Sequence, residues 1–335
     1  MRAVPLRYNQ ALILADRFRE IGLNAVESGR TPPRHAALRD DPAALALRLF
    51  RDGVPLSDSE SACLFNSCDV PRLLVESRLR LDFVEDLFLF SDWPSSEPDT
   101  VLPPGETAAI LYKAAQQFTA YRRVLDLCCG SGTLALLLGR GIGTDLNPHA
   151  IELARMNAAI NGLADIEFRQ GSLFAPVAGE QFDLIVCQPP FVPRPPETSS
   201  HLFLHGGLRG DELAREILLD IPRHLSPNGL AMLYSDWPLA EGELLAERIP
   251  AEHMHAQLFA SPMITRESYC EAYGQELRPH FETMGITGIR QCLTVLTHGH
   301  GIDEHEVLPH QWACLGGWIK AAATMPTSAS PASVK

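Results

Sequence analysis

Seven short apolar runs recur between residues 124 and 296, with helix-patterned stretches between most of them, and this alternation constrains the chain more than any other feature. Val124–Leu127, Gly141–Thr144, Ile166–Arg169, Leu184–Cys187, Leu230–Tyr234, Gln257–Phe259 and Leu293–Leu296 read as strands. That rhythm predicts an α/β fold built on a Rossmann-like, doubly wound, mostly parallel sheet of seven strands. Sheets of this kind bind ligands beyond the carboxyl ends of their strands, so the residues that follow each run are the ones to inspect.

After the first run comes Asp126-Leu127-Cys128-Cys129-Gly130-Ser131-Gly132, and the two glycines open a helix containing Leu134, Leu136, Leu137 and Leu138. Glycines here let backbone approach a ligand at a helix N-terminus, although a glycine pair alone serves equally as a tight strand-to-helix turn. The second run ends in Asp145, followed by Leu146-Asn147-Pro148. A carboxylate at a strand end can accept both hydrogen bonds from the vicinal hydroxyls of a ribose. A nicotinamide-dependent dehydrogenase uses similar geometry, but its acidic residue stands about 20 positions beyond the glycines. Asp145 follows Gly132 by only 13 positions.

The fourth run leads directly into Gln188-Pro189-Pro190-Phe191. Two prolines remove backbone N–H donors and stiffen the turn, leaving nearby carbonyls free to face a ligand. Alone, such a sequence is as well explained by a rigid loop; its order and spacing after the glycine loop favour a site.

In that order the two motifs resemble the class I S-adenosylmethionine-dependent methyltransferases, in the branch that carries an Asn/Asp/Ser-Pro-Pro-aromatic motif. The pattern is similar to protein-glutamine methyltransferases that modify release factors and ribosomal proteins, and to ribosomal RNA guanine methyltransferases of the same branch. The resemblance covers residues 98 to 301 and is strongest from Val124 to Phe191. It implies S-adenosyl-L-methionine as cofactor, with Asp126 near its methionyl part, Asp145 on the ribose, and Ser172, Leu173, Leu146 and Asn147 around the purine. Cys128, Gly130, Gly132 and Gln188 complete the implied cofactor set. On the acceptor side it implies Gln188 and the Pro189 carbonyl as acceptors of hydrogen bonds from the target nitrogen, with the Phe191 ring as platform. The chain departs from the family at Cys128, where Gly is frequent, at Ser172, where Asp is frequent, and at Gln188, one methylene longer than the usual Asn.

Residues 192 to 210 form a long loop of the kind that often covers a substrate. Arg194, His201, His205 and Arg209 are its candidates to contact an acidic substrate, against the plainer reading of solvated loop side chains. His298, His300, His305 and His310, with Asp303 and Glu304, match no standard zinc spacing, so no metal is expected.

The division expected is an N-terminal helical, winged-helix-like domain over residues 1–95, a methyltransferase domain over 96–322 and a disordered Ser/Pro-rich tail over 323–335. The first part offers helical patterns from Tyr8 to Leu23, from Asp41-Pro42 onward, from Asp58 to Phe65 and from Val70 to Glu76. Two short strands follow at Leu79–Leu81 and Leu87–Phe90, and a Pro/Ser-rich linker from Ser91 to Asp99. Val70–Glu76 lacks the basic and amide side chains of a DNA-recognition helix. The unit is therefore read as a substrate lid or as the contact of a homodimer.

Composition bears on partners. Forty-one acidic against twenty-eight basic residues leave a formal charge of -13, which argues against a broad footprint on DNA or RNA. The reading is an enzyme whose acceptor is a nitrogen of a small metabolite, peptide or protein side chain. The alternatives are an rRNA N-methyltransferase and a non-catalytic winged-helix ligand-binding regulator. With neither a run of about 18 apolar residues nor a secretory-type start, the expected place is the cytoplasm, without membrane contact. The eight cysteines lack paired C-x-x-C spacing and read as reduced, mostly buried small hydrophobes.

Overall fold

The computed structural model describes residues 14, 16–20, 41–51, 54, 56–65, 79–95, 97–118, 121–163, 165–196, 198 and 201–314. The expected helix Val70–Glu76, most of Tyr8–Leu23 and the expected tail lie outside these residues.

In the N-terminal part, helices Pro42–Ala46, continuing as a π turn Leu47–Arg51, and Asp58–Phe65 precede a hairpin of β1 (Leu79–Val84) and β2 (Leu87–Asp92). The hairpin pairs antiparallel from Leu79↔Asp92 to Val84↔Leu87. Phe18, Phe50, Phe65, Phe88 and Phe90 form its apolar centre, with the Phe50 ring edge-on to Phe18, Phe65 and Phe90. The same cluster continues into Leu153, Met156 and Ile160 of helix Pro148–Ile160. That helix buries its other side, Ile151, Ala154 and Ala158, against Phe168 of the main sheet.

The main sheet contains β3 (Val124–Leu127), β4 (Ile142–Asp145), β5 (Glu167–Gln170), β6 (Phe182–Cys187), β9 (Leu225–Ala240), β10 (Met254–Ala260), β12 (Ile286–His298) and β13 (Gly301–Glu306). Their order is β13-β10-β12-β9-β6-β3-β4-β5, with the short β11 (Ile264–Thr265) beside β12. Strands β5 through β9 run parallel, while β12 is antiparallel to both β9 and β10. All seven expected strands are present, and the sheet has nine because β11 and β13 add to them. The sequence of β13, Gly-Ile-Asp-Glu-His-Glu, is almost wholly exposed at the sheet edge, so no buried face imposes apolar alternation on it.

Both faces of the sheet are covered, as a parallel sheet requires. Helix Glu212–His224 lays Ile217, Leu218 and Ile221 against Ile185, Leu233 and Trp237 on one face. Helix Glu106–Ala115 lays Leu111, Ala114 and Ala115 against Val186, Met232 and Leu293 on the other. Each fully buried aliphatic side chain of these layers contributes about 1.5–3 kcal/mol of transfer free energy.

The chain enters the sheet at β3, winds outward through β4 and β5, then crosses back to β6 on the other side of β3. The crevice at that reversal is where an open α/β sheet holds its ligand. Register fixes what meets there: Leu127 is level with Thr144 of β4 and with Cys187 of β6. The residues after all three strands therefore emerge side by side.

Candidate functional site

A cavity of about 250 Å³ opens at this rim. It is walled by Asp126, Cys128, Gly130, Asp145, Leu146, Asn147, Ser172, Leu173 and Gln188 of the expected set. Four separate chain segments supply these residues, so only the fold brings them together.

The glycine loop is shaped by backbone conformation. Cys128, Gly130 and Gly132 all have positive φ (59°, 52° and 83°), which turns the chain abruptly from β3 into helix Thr133–Leu138. Gly132 does not line the cavity; it stands behind it. A Cβ there would lie 2.9 Å from the Phe168 ring, so this glycine is needed for helix-to-sheet packing. At Cys128, where glycine would be unstrained, a left-handed backbone is accepted with a side chain that faces the cavity and adjoins Cys187.

Asp145 is fixed by two backbone donors, one on each oxygen: the Gly130 N–H to Oδ2 at 2.9 Å and the Asn147 N–H to Oδ1 at 2.8 Å. A carboxylate has about four lone-pair positions, so one on each oxygen is left for a diol. Burial raises the Asp145 pKa, opposed by the bonds from Asn147 and Gly130. Asp126 is deeper, 2 % exposed, and accepts the Ala135 N–H at 2.9 Å. Burial pushes its carboxyl up to about 7 against that bond, and the neighbouring Asp145 adds to the rise. Together they give the cavity an acidic floor able to take hydroxyls at one end and a cationic group at the other. These carboxylate acceptors suit the ribose hydroxyls and the methionyl ammonium of S-adenosylmethionine, while the exposed Leu146 side chain and Leu173 offer apolar walls to a purine.

Asn147 has two further tasks. Its Oδ1 caps the helix by accepting the His149 N–H at 3.0 Å, and its Nδ2 donates to the Asp99 carbonyl at 2.8 Å. Asp99 belongs to the stretch expected as a linker. Thr100 to Gly105 in fact form one wall of the cavity, a role with no signature beyond Pro103-Pro104-Gly105. Leu202, Phe203 and Leu213 also line the cavity and carry no sequence signature of that role.

On the acceptor side Gln188 and Pro190 line the cavity, while Pro189 and Phe191 do not. The Phe191 ring turns instead to Tyr273, centroids 6.3 Å apart at 84°, and joins a separate cluster with Val192, Leu277 and Phe281. The platform expected of Phe191 is therefore outside the cavity walls, because the helix pair Arg266–Tyr273 and Leu277–Met284 offers that ring a larger apolar surface.

The four loop candidates are also elsewhere. Arg209 pairs with Glu243 and donates to the Pro238 carbonyl at 2.7 Å, tying the loop to the end of β9. His205 sits in β8 (His205–Gly207), which pairs with β7 (Val192–Pro193); burial lowers its pKa. Arg194 is exposed beside it, and the His201 ring lies 6.0 Å from that of His205. None of the four lines the cavity.

Among the described residues no three His, Cys, Asp or Glu side chains converge as metal ligands. Of the C-terminal histidines, His305 stacks on Phe259 and His298 Nε2 is 3.1 Å from the Ser226 carbonyl. Cys129, Cys187, Cys270 and Cys292 are buried free thiols, and Cys63 and Cys128 are partly buried. No helix among the described residues is long and apolar enough to cross a membrane.

Residues 119–282 match a family model described as "Methyltransferase domain". Over 126 residues, 33% of this chain and 40% of the relative, the chain is 38% identical to the ribosomal protein uL3 glutamine methyltransferase of Bradyrhizobium diazoefficiens. Over 158 residues it is 35% identical to the release factor glutamine methyltransferase of Deinococcus radiodurans, covering 42% of this chain and 56% of that one. A third relative, the ribosomal protein uL3 glutamine methyltransferase of Bordetella pertussis, is 37% identical over 126 residues, 33% of this chain and 42% of its own. The match thus spans about half the length of these relatives, and the residues matched by the family model include Asp126, Asp145, Ser172 and Gln188 of the cavity.

Proposed function

We propose that this chain, which carries a class I S-adenosylmethionine-dependent methyltransferase domain, methylates the side-chain amide nitrogen of glutamine in a protein. The observation that carries the reading is the meeting of Asp145 and Gln188 in one cavity. One is suited to hold a ribose, the other to orient an N–H group. Relatives 35–38% identical over part of this chain are named for glutamine methylation of ribosomal protein uL3 and of release factors.

When bound, the cofactor supplies an electrophilic methyl group on a sulfonium. The residues of this chain have to orient the acceptor and accommodate its changing charge. An amide nitrogen is a poor nucleophile because its lone pair is delocalised into the carbonyl. Gln188 Oε1, accepting an N–H bond of the target inside the cavity, would hold its plane and favour positive charge at nitrogen as the lone pair is used. No donor competes for the neighbouring backbone, since Pro189 and Pro190 carry none. The acidity of the nitrogen rises as it is alkylated, so its proton can leave to water without a strong base in the cavity.

The longer Gln188 side chain, compared with Asn, reaches further into the cavity and narrows the space for the acceptor. That favours a flexible primary amide over a ring nitrogen held in a rigid base. The net charge of -13 adds to the case against RNA. The test is incubation with S-adenosylmethionine labelled in the methyl group and two acceptors, ribosomal protein uL3 and a release factor, followed by peptide mass spectrometry. One methyl on a glutamine amide supports the reading; label on neither protein, from a chain that binds S-adenosylhomocysteine, removes it.

A further inference from the structure

Among the described residues that wall the cavity, one carries a Phe, Tyr or Trp ring, and it is not the one in the Gln-Pro-Pro-Phe motif. Phe203 lines the cavity with Gln188 and Pro190, whereas Phe191 is held against Tyr273 outside it. We propose that Phe203 is the ring that packs on the acceptor amide, and so a specificity-determining residue for the methyl transfer. The inference rests on the function proposed above.

Three features place Phe203 where it is. The Val192 N–H donates to the Leu204 carbonyl at 2.8 Å and the Arg194 N–H to the Gly207 carbonyl at 2.8 Å, so the returning strand is laced to the residues just after Phe191. Gly206 brings that strand into contact with the proline turn: a Cβ there would lie 2.5 Å from the Pro190 carbonyl oxygen and 2.9 Å from Phe191 Cα. No other residue type allows this approach. The Leu202 N–H donates to the Pro98 carbonyl at 3.1 Å, which ties the segment to the stretch that leads into the Thr100–Gly105 wall.

Between these anchors the side chains divide. Leu204 joins Phe191 in the cluster around Tyr269 and Phe281, while Leu202 and Phe203 face the cavity. Tyr269 stacks on Tyr273 at 4.5 Å, and Tyr273 meets Phe191 edge-on, so Phe191 is one member of a packed aromatic row. To reach the cavity its ring would have to abandon that row. Among the described residues the ring contact of Phe203 is a tilted one with His201 at 5.6 Å. An aromatic face supplies a large apolar surface at small entropic cost, and an amide held by Gln188 at its N–H edges needs a surface of this kind against its plane.

The experiment compares Phe203→Ala, Phe203→Tyr and Phe191→Leu. With uL3 or release factor as acceptor, Phe203→Ala should raise the acceptor KM by about tenfold, the order expected for loss of a ring contact. S-adenosylhomocysteine affinity should stay within about twofold and Phe203→Tyr should keep the wild-type KM. Phe191→Leu should lower thermal stability and leave KM within about threefold. A fall in S-adenosylhomocysteine affinity for Phe203→Ala with KM unchanged would overturn the assignment, as would a tenfold KM effect confined to Phe191→Leu. A second readout needs no turnover. Fluorine NMR of protein labelled with fluorophenylalanine, saturated with S-adenosylhomocysteine and titrated with N-acetylglutamine methylamide to its solubility limit, should move the Phe203 signal and not that of Phe191. Movement at Phe191 alone, or at neither, would contradict the proposal. Movement at Phe203 with no methyl on uL3 or release factor would leave this assignment standing while removing the protein-acceptor reading.

Discussion

The side chain of Asn157 pairs with the backbone of Phe90 as another strand would, Oδ1 accepting the Phe90 N–H at 2.8 Å and Nδ2 donating to the Phe90 carbonyl at 2.9 Å. One helical turn on, Asn161 repeats the arrangement with Phe88, at 2.9 Å and 2.7 Å. The free edge of the hairpin is thus closed by two asparagines of the chain that runs behind the cofactor cavity. The N-terminal part is joined to helix Pro148–Ile160 through these side-chain-to-backbone bonds as well as through the phenylalanine cluster.

Asn157 is fully buried, so replacing it by alanine strands the N–H and the carbonyl of Phe90. Asn157→Ala should cost about 2–4 kcal/mol, since each orphaned buried group costs about 1–3 kcal/mol. Urea unfolding would show this as a lower midpoint with an unchanged slope. Asn161→Ala, nearer the surface, should cost less.

His149 at the start of the same helix places Nε2 3.0 Å from Asp92 Oδ2, and that carboxylate also accepts the Val101 N–H at 2.8 Å. The hydrogen bond to Asp92 raises the His149 pKa above 6.5, against a smaller opposing effect of burial. A raised histidine pKa contributes stability that is fully present below 6.5 and lost as pH rises through the folded value. The Tm difference between wild type and His149→Gln should therefore be largest near pH 6 and shrink toward pH 9. A difference that grows with pH would reverse the assignment.

Asp126, with its carboxyl pushed up to about 7, titrates within the working range. In our account its charged form faces the ammonium end of the cofactor. S-adenosylhomocysteine should then bind more weakly as pH falls from about 8 to about 6, because binding requires Asp126 to release its proton. Calorimetry in buffers of different ionisation enthalpy should detect that proton, and Asp126→Asn should bind weakly with a flat pH profile.

Gly206→Ala tests the docking of the strand after the long loop. With carbonyl oxygens of Gly210 and Pro190 at 2.1 and 2.5 Å from the added carbon, the strand has to move away from the proline turn. Such overpacking costs about 1–3 kcal/mol. Methyl transfer should fall more than S-adenosylhomocysteine binding, since the displaced segment carries Phe203 and the cofactor loops are on the other side.

Much of this architecture is written in local pattern. The strands that line the cavity are buried on both faces, and Val124–Leu127 and Phe182–Cys187 are accordingly unbroken apolar runs apart from Asp126 and Asp183. The short helix Asp58–Phe65 is legible at the same bounds for a different reason, a compact polar start before an apolar end. What pattern could not supply were contacts made at a distance. Thr100, Leu202 and Phe203 reach the cavity because Asn147 holds Asp99 and Pro98 holds Leu202, bonds that join residues 48 and 104 positions apart. Arg209 and Phe191 misled in the opposite sense: their residue types suit a site, but Glu243 and Tyr273 claim them. The edge strand β13 was silent because a charged, exposed strand has no apolar period to read.

The account turns on a single cavity with a cofactor end at Asp145 and an acceptor end at Gln188. Calorimetric titration of S-adenosylhomocysteine into the wild type, Asp145→Ala and Gln188→Ala tests it most directly. Two hydrogen bonds to a charged acceptor, at about 1.5–3 kcal/mol each, predict that Asp145→Ala weakens binding by roughly 100-fold or more. Gln188→Ala should stay within about threefold of wild type. No binding by the folded wild type, or undiminished binding by folded Asp145→Ala, would contradict the account.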